Sequence, residues 1–120
     1  MPNVTQEQIQ QVEVSLEQAK KAVALKQDVI KLENTKAFCN VVLDGYFDTE
    51  AVRLVLLKSD HEMQSPEQQE HVLRQMDAIG TFRQYLGTLV YLGNMAEKAL
   101  VDDSETHAEL LQEELENDDA

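Results

Sequence analysis

The chain of 120 residues contains a single cysteine, Cys39, only two prolines and no tryptophan. One cysteine excludes a disulfide within the chain and a zinc site built on several cysteines. Aromatic residues make up only 5% of the chain, so a core must be built mostly from Leu, Val, Ile, Ala and Met. This composition is typical of a protein made of packed helices.

Long apolar runs are also missing. No stretch approaches the roughly 18 consecutive apolar residues of a membrane-spanning helix, and the first residues lack the basic and apolar regions of a secretory signal. We therefore expect a soluble, cytoplasmic protein that does not bind membranes.

Positive charge is scarce, since 10 Lys and Arg residues stand against 23 Asp and Glu residues and the formal net charge is −13. Direct binding of nucleic acid is unfavourable for such a surface, whereas a basic protein surface is a suitable partner. The segment 102–120 contains no Lys or Arg, and its acidic residues are Asp102, Asp103, Glu105, Glu109, Glu113, Glu114, Glu116, Asp118 and Asp119. We predict a helical domain over 1–101 and an acidic, partly helical tail over 102–120, the end of which frays.

Apolar residues recur every three or four positions over two long segments, which predicts two long helices. The first covers residues 5–33, and the second starts at Pro66 behind a capping box formed by Ser65 and Gln68. The predicted fold is all-α: a long helical hairpin or coiled-coil-like bundle with a short helical insert between the two long helices. The first helix is expected to pack antiparallel on the first half of the second, with strand content near zero.

The segment between the long helices has two possible arrangements at its start. Residues 34–43 either continue the first helix or restart after Asn34, and Asp44 with Gly45 predicts a helix end. Asp48 is a candidate N-cap for a short helix over residues 49–58. This helix is apolar nearly all round, so we expect it to be buried between longer elements.

Three features indicate a protein interface. Gly80 and Gly87 are seven residues apart, so one helix face would allow another backbone to approach, unless they only mark a kink or turn. The aromatic residues near Gly45 are either pinned into the core or anchor a partner. Apolar positions on the second helix remain uncovered, since the first helix is shorter. The candidate interface residues are Phe38, Tyr46, Phe47, Gly80, Gly87, Leu89, Val90 and Leu92.

Residues that would indicate catalysis are absent from the sequence. The three histidines lie far apart in polar surroundings, and none follows a Glu by three positions, as the ligand pairs of di-iron helical bundles require. There is no phosphate-binding loop and no nucleophile elbow. We therefore expect no enzyme activity, no cofactor and no metal site.

Four segments together resemble a small acidic helical protein of tailed bacteriophages: AFCNVVLDGYF at 37–47, EAVRL at 50–54, AIGTFRQYL at 78–86 and GNMA at 93–96. The resemblance covers roughly residues 15 to 100. The roles of such proteins are mostly unassigned. The resemblance implies a phage setting, in the host cytoplasm or the virion, and supplies no functional residues.

The sequence thus predicts a non-enzymatic helical interaction protein that acts through helix-face packing, and the resemblance implies that it is a phage structural or virion-assembly component. Its expected partners are further copies of itself or a phage structural protein, because the apolar surface of the longer helix needs cover. The alternative is an acidic protein that mimics DNA and blocks a basic nucleic-acid-binding surface.

Overall fold

The computed structural model describes residues 4–119, nearly all of which are helical. Helix α1 spans Val4–Glu33, α2 Lys36–Phe38, a π-helix Cys39–Thr49, α3 Glu50–Lys58, a short 3₁₀-helix His61–Met63, and α4 Pro66–Asp119. No strand occurs between residues 4 and 119. The predicted all-α hairpin with a short helical insert is therefore confirmed, and residues 36–58 are called the insert below.

The chain forms two compact units. The first unit combines residues 4–27 with 89–119, and the second covers residues 28–88. Helix α4 continues without interruption from Pro66 to Asp119. The predicted boundary at residue 101 therefore coincides neither with a helix end nor with the limit of a unit, and Ala120 of the predicted tail lies outside the described residues.

In the first unit, α1 and α4 run antiparallel. Polar contacts join them in steadily reversed order: Lys26 with Glu97 at 2.8 Å, Ser15 with Asp103 at 2.5 Å, Glu13 with His107 at 3.1 Å, and Gln6 with Glu114 at 3.2 Å. All these α4 residues belong to its second half. The expectation that α1 packs on the first half of α4 was therefore wrong.

The first half of α4 is instead covered by the insert, in the second unit. Leu54 of α3 and Val72 of α4 are fully buried, and Ile79 joins them in one core cluster. The half-buried residues packed around this cluster are Tyr46, Phe47, Ala51, Leu57, Met63 and Met76. Because α3 is joined to α4 by a few residues only, its apolar side packs on the nearest turns of α4.

The connection between α3 and α4 is fixed by side chains that bond to the backbone. The Gln69 side chain donates to the carbonyl oxygens of Lys58 and Met63, at 2.9 and 2.7 Å. The amide of Gln68 donates to Ser65 Oγ, and the amide of Ser65 donates to Gln68 Oε1, both at 3.2 Å. The predicted capping box is thus confirmed, and it starts α4 where Pro66 needs no hydrogen-bond acceptor.

The predicted helix end at Gly45 was wrong. The chain turns at Asn34 and Thr35, and the helical path then continues through Gly45 into α3. None of the described glycines has a positive φ, so the left-handed conformation that ends many helices is absent here. Asp48 accordingly lies within the π-helix and does not cap α3.

The segment around Gly45 is a π-helix of 11 residues, longer than the single-turn bulges in which this conformation usually occurs. The amide of Glu50 donates to the carbonyl of Gly45, five residues earlier. A Cβ on Gly45 would lie only 3.0 Å from the carbonyl oxygen of Asn40. The absence of a side chain at Gly45 therefore relieves a close contact within the π-helix.

Candidate protein-binding surfaces

The predicted aromatic segment contributes to the core of the second unit. The ring centroids of Tyr46 and Phe47 lie 6.3 and 5.4 Å from that of Phe82 on α4, and 6.0 Å from each other. Such tilted ring pairs stabilise a fold by about 0.5–1.5 kcal/mol beyond the burial of their area. Phe38 is half-buried and makes no ring contact within residues 4–119.

The backbone approach predicted at Gly80 and Gly87 does not occur within the described chain, because a Cβ on either glycine would meet no atom within 4 Å. The close approach is instead at Gly93, which is buried against Lys26 of α1. A Cβ on Gly93 would overlap Lys26 Cβ and lie 2.9 and 2.8 Å from its Cγ and Cδ.

The sequence does contain a signal for the role of Gly93. It lies seven residues after the buried Leu86 and three before the buried Ala96, and is therefore on the apolar stripe of α4. Gly80 and Gly87 each follow a stripe residue by one position, which rotates them about 100° away. Spacing between the two glycines alone was not enough to locate the close approach.

Gly80 and Gly87 border two grooves between the insert and α4. The smaller groove has a volume of about 230 Å³ and is lined by Phe47, Ala51, Val55, Met76, Ile79, Gly80 and Arg83. The larger, of about 610 Å³, is lined by Glu33, Leu43, Phe47, Asp48, Arg83, Leu86 and Gly87. Phe47 and Arg83 line both grooves. These glycines thus open onto unfilled space beside an apolar ring and a guanidinium group.

Helix α3 exposes a second apolar side, contrary to the expectation that it is buried all round. Leu54 is fully buried, whereas Val52, Val55 and Leu56 are 53, 51 and 67% exposed. These three residues form what we call the α3 face. A nine-residue helix packed on α4 from one side cannot cover both of its own apolar sides, so the α3 face remains open to solvent.

An ion pair lies beside this face. Arg53 Nη2 contacts Glu50 Oε1 at 2.5 Å and Arg53 Nε donates to Glu50 Oε2 at 3.0 Å. The hydrogen bond from Arg53 lowers the pKa of Glu50 below its ordinary value, and the charge of Arg53 acts in the same direction. Glu50 is therefore ionised at neutral pH, and α3 carries one carboxylate against the two basic residues Arg53 and Lys58.

The predicted interface residues of the first unit differ in exposure. Leu89 and Val90 are half-buried, and Leu92 is 48% exposed. Leu92 is accompanied by the exposed residues Tyr91 and Met95. Of the three predicted positions, Leu92 alone is openly available to a partner.

The acidic residues 102–118 lie along the solvent-facing and α1-facing sides of one continuous helix. Asp103 accepts a hydrogen bond from Ser15, and Glu114 accepts one from Gln6. The side chain of Asp119 is outside the described part of the chain. None of the helices described here contains a stretch apolar enough to cross a lipid bilayer. The side chains of residues 4–118 include no group of three placed to hold a metal ion.

Comparisons of the chain with protein-family models, with curated proteins and with solved structures gave no match. The resemblance to small phage proteins therefore rests on the sequence segments alone.

Proposed function

We propose that this protein is a non-enzymatic interaction protein, a bacteriophage structural or virion-assembly component that acts in the host cytoplasm or the virion. It binds further copies of itself, or a phage structural protein, through exposed apolar helix faces. The observation that carries the proposal is the α3 face, where Val52, Val55 and Leu56 are each more than half exposed.

The exposure of these residues supports a protein partner. Each large aliphatic side chain that is moved from water into an interface contributes on the order of 1.5–3 kcal/mol, and neighbouring residues on one helix can be covered together. The adjoining groove lined by Val55 and Gly80 gives a partner side chain a place to enter. A surface of this kind is typical of protein interfaces, where apolar anchors occupy pockets.

The local charge supports self-association at this position. Most of the chain is strongly acidic, so two copies repel one another in general. On α3, however, Glu50 is balanced by Arg53 and outnumbered once Lys58 is included. The helix itself therefore adds no net negative charge to a contact between two copies through the α3 face, although Asp48 and Asp60 flank it.

The test is capture of partners from phage-infected and uninfected lysate at low and high salt, with mass spectrometry of the bound proteins. The full-length chain is one bait, and the Val52→Ser/Leu56→Ser variant is the matched control, since both side chains are exposed and the change leaves the core intact. Apolar packing persists at high salt. Capsid, portal or tail proteins that bind the first bait at high salt and not the variant support the proposal, and equal recovery on both baits contradicts it.

DNA mimicry is the second candidate, and one observation favours it. The terminal half of the hairpin, residues 4–19 with 99–119, carries twelve Asp and Glu residues and no Lys or Arg. A helix of 21 residues is about 31 Å long, so this half carries roughly one charge per 2.6 Å, against about 1.7 Å for duplex DNA. Recovery of a nuclease, polymerase or nucleoid protein only at low salt would favour this function over the first.

A further inference from the structure

Two stripes of side chains run along the second half of α4, and among the described residues only one of them contacts α1. The first faces α1 and consists of the half-buried residues Leu100, Asp103, His107, Leu110 and Glu114. The second is displaced by one residue and consists of the exposed residues Val101, Ser104, Ala108, Leu111 and Leu115. Both have alternating spacings of three and four, the pattern by which one helix packs along another. Beside the side that contacts α1, this half of α4 thus has an exposed side on which Ser104 is the one polar position of the five.

Three of the five exposed residues of the second stripe are large and apolar. Val101, Leu111 and Leu115 are 60, 43 and 60% exposed. From Val101 to Leu115 the stripe is about 21 Å long, which is four helical turns. A partner helix of about 15 residues would match this length.

Carboxylates flank the stripe on the side away from α1. Glu105 and Glu109 each follow a stripe residue by one position and are exposed. Neither has an ion pair with another described residue. A helix that docks on the stripe would therefore bring its own flanking residues next to unneutralised negative charge, which favours Lys or Arg there.

We propose that this stripe docks a basic amphipathic helix of another protein, with apolar residues on Val101, Leu111 and Leu115 and basic residues beside Glu105 and Glu109. A second copy of the chain fits poorly, because the hairpin half that carries the stripe has twelve carboxylates and no Lys or Arg. The surface lies in the first unit and shares no residue with the α3 face, so this proposal stands or fails independently of self-association through α3.

The experiment measures binding of a synthetic 15-residue peptide by fluorescence anisotropy. The peptide has Leu at alternating spacings of three and four and Lys at the flanking positions. A scrambled peptide of equal composition, without the Leu stripe, is the control for charge alone. The full-length chain is expected to bind the amphipathic peptide at least about tenfold more tightly than the scrambled one, because only the former presents a continuous apolar anchor.

Two variants locate the site. Leu111→Ser/Leu115→Ser removes exposed side chains and is expected to weaken binding at least about tenfold, while Val52→Ser/Leu56→Ser on the α3 face leaves it unchanged. Glu105→Gln/Glu109→Gln is expected to weaken binding several-fold at low salt and far less at high salt. Its matched control is Glu67→Gln/Asp77→Asn, which removes two exposed carboxylates from the same helix within the second unit.

Three results would overturn the proposal. The first is equal binding of the two peptides, which would show that charge alone accounts for the binding. The second is undiminished binding by both the Leu111→Ser/Leu115→Ser and the Glu105→Gln/Glu109→Gln variants. The third is a wild-type oligomer that dissociates when Leu111 and Leu115 are replaced, which would show that a second copy occupies the stripe.

Discussion

Replacement of Gly93 by alanine tests the packing of α1 on α4 directly. The added Cβ would overlap Lys26 Cβ and lie within 3 Å of Lys26 Cγ and Cδ. The Cβ of Lys26 is attached to the backbone and cannot rotate away. The two helices must therefore separate locally, or α1 must shift along α4, before the alanine fits.

Two opposing effects determine how much Gly93→Ala changes the free energy of unfolding. Overpacking of a close contact costs about 1–3 kcal/mol, whereas Gly to Ala in a helix interior stabilises by about 1 kcal/mol. Gly87→Ala is the matched control, because it has the same helix-propensity gain on the same helix and its Cβ meets no atom within 4 Å. The gain in helix propensity cancels when the unfolding free energies of the two variants are subtracted, and the steric cost remains. Gly93→Ala should therefore be less stable than Gly87→Ala by about 1–3 kcal/mol.

The assay is urea unfolding followed by far-UV circular dichroism, at one fixed protein concentration because self-association would otherwise alter the apparent stability. If the free energy of unfolding falls with urea concentration at the same slope in both variants, the two variants expose the same amount of surface on unfolding. If Gly93→Ala proved as stable as Gly87→Ala, α1 would not approach α4 at Gly93, and the hairpin register described above would be wrong.

Three further results are expected. Leu54→Ala should lower the free energy of unfolding by about 2–5 kcal/mol because Leu54 is fully buried, whereas Leu56→Ala, at a protein concentration low enough for the chain to be monomeric, should change it by about 0.5 kcal/mol at most; equal effects in urea unfolding would contradict the assignment of the buried side of α3. Truncation after Glu113 should leave a cooperatively folded protein by thermal melting, and loss of that transition would show that the end of α4 is required for folding. The pKa of Glu50, measured by NMR titration, should lie below that of an isolated glutamate and should rise in Arg53→Met. Because the pKa of Glu50 is lower in the folded state, its ion pair with Arg53 stabilises the fold at neutral pH. This stabilisation is lost as the pH falls through the folded-state pKa.

Local sequence signals predicted those elements whose stabilising contacts are close in sequence. The start of α4 is one example, because Ser65 and Gln68 satisfy each other's hydrogen bonds over three residues. The two long helices are another, because their apolar periodicity extends over many turns. The failure at Gly45 has a physical reason: a glycine can relieve a contact within a π-helix as well as end an α-helix, and its local neighbours do not distinguish the two.

The pairing of the helices could not be read from periodicity. Each apolar stripe predicts that a helix face is covered and does not specify by which neighbour. The position of the insert decides this, since α3 takes the nearest turns of α4 and leaves the second half to α1. The exposed side of α3 could not be predicted for the same reason. A helix that is apolar all round is buried only on the sides that neighbouring helices cover, and the sequence of the helix does not show which sides those are.

Self-association through the α3 face is the most direct measure of whether the exposed apolar helix faces of this protein bind protein. Light scattering coupled to size exclusion, at a protein concentration on the order of 50 µM, compares the wild-type chain with Val52→Ser/Leu56→Ser. The wild type is expected to have at least twice the chain mass of 13.6 kDa, and the variant is expected to have the mass of one chain. A wild-type monomer, or a variant with an unchanged oligomer mass, would contradict self-association through the α3 face.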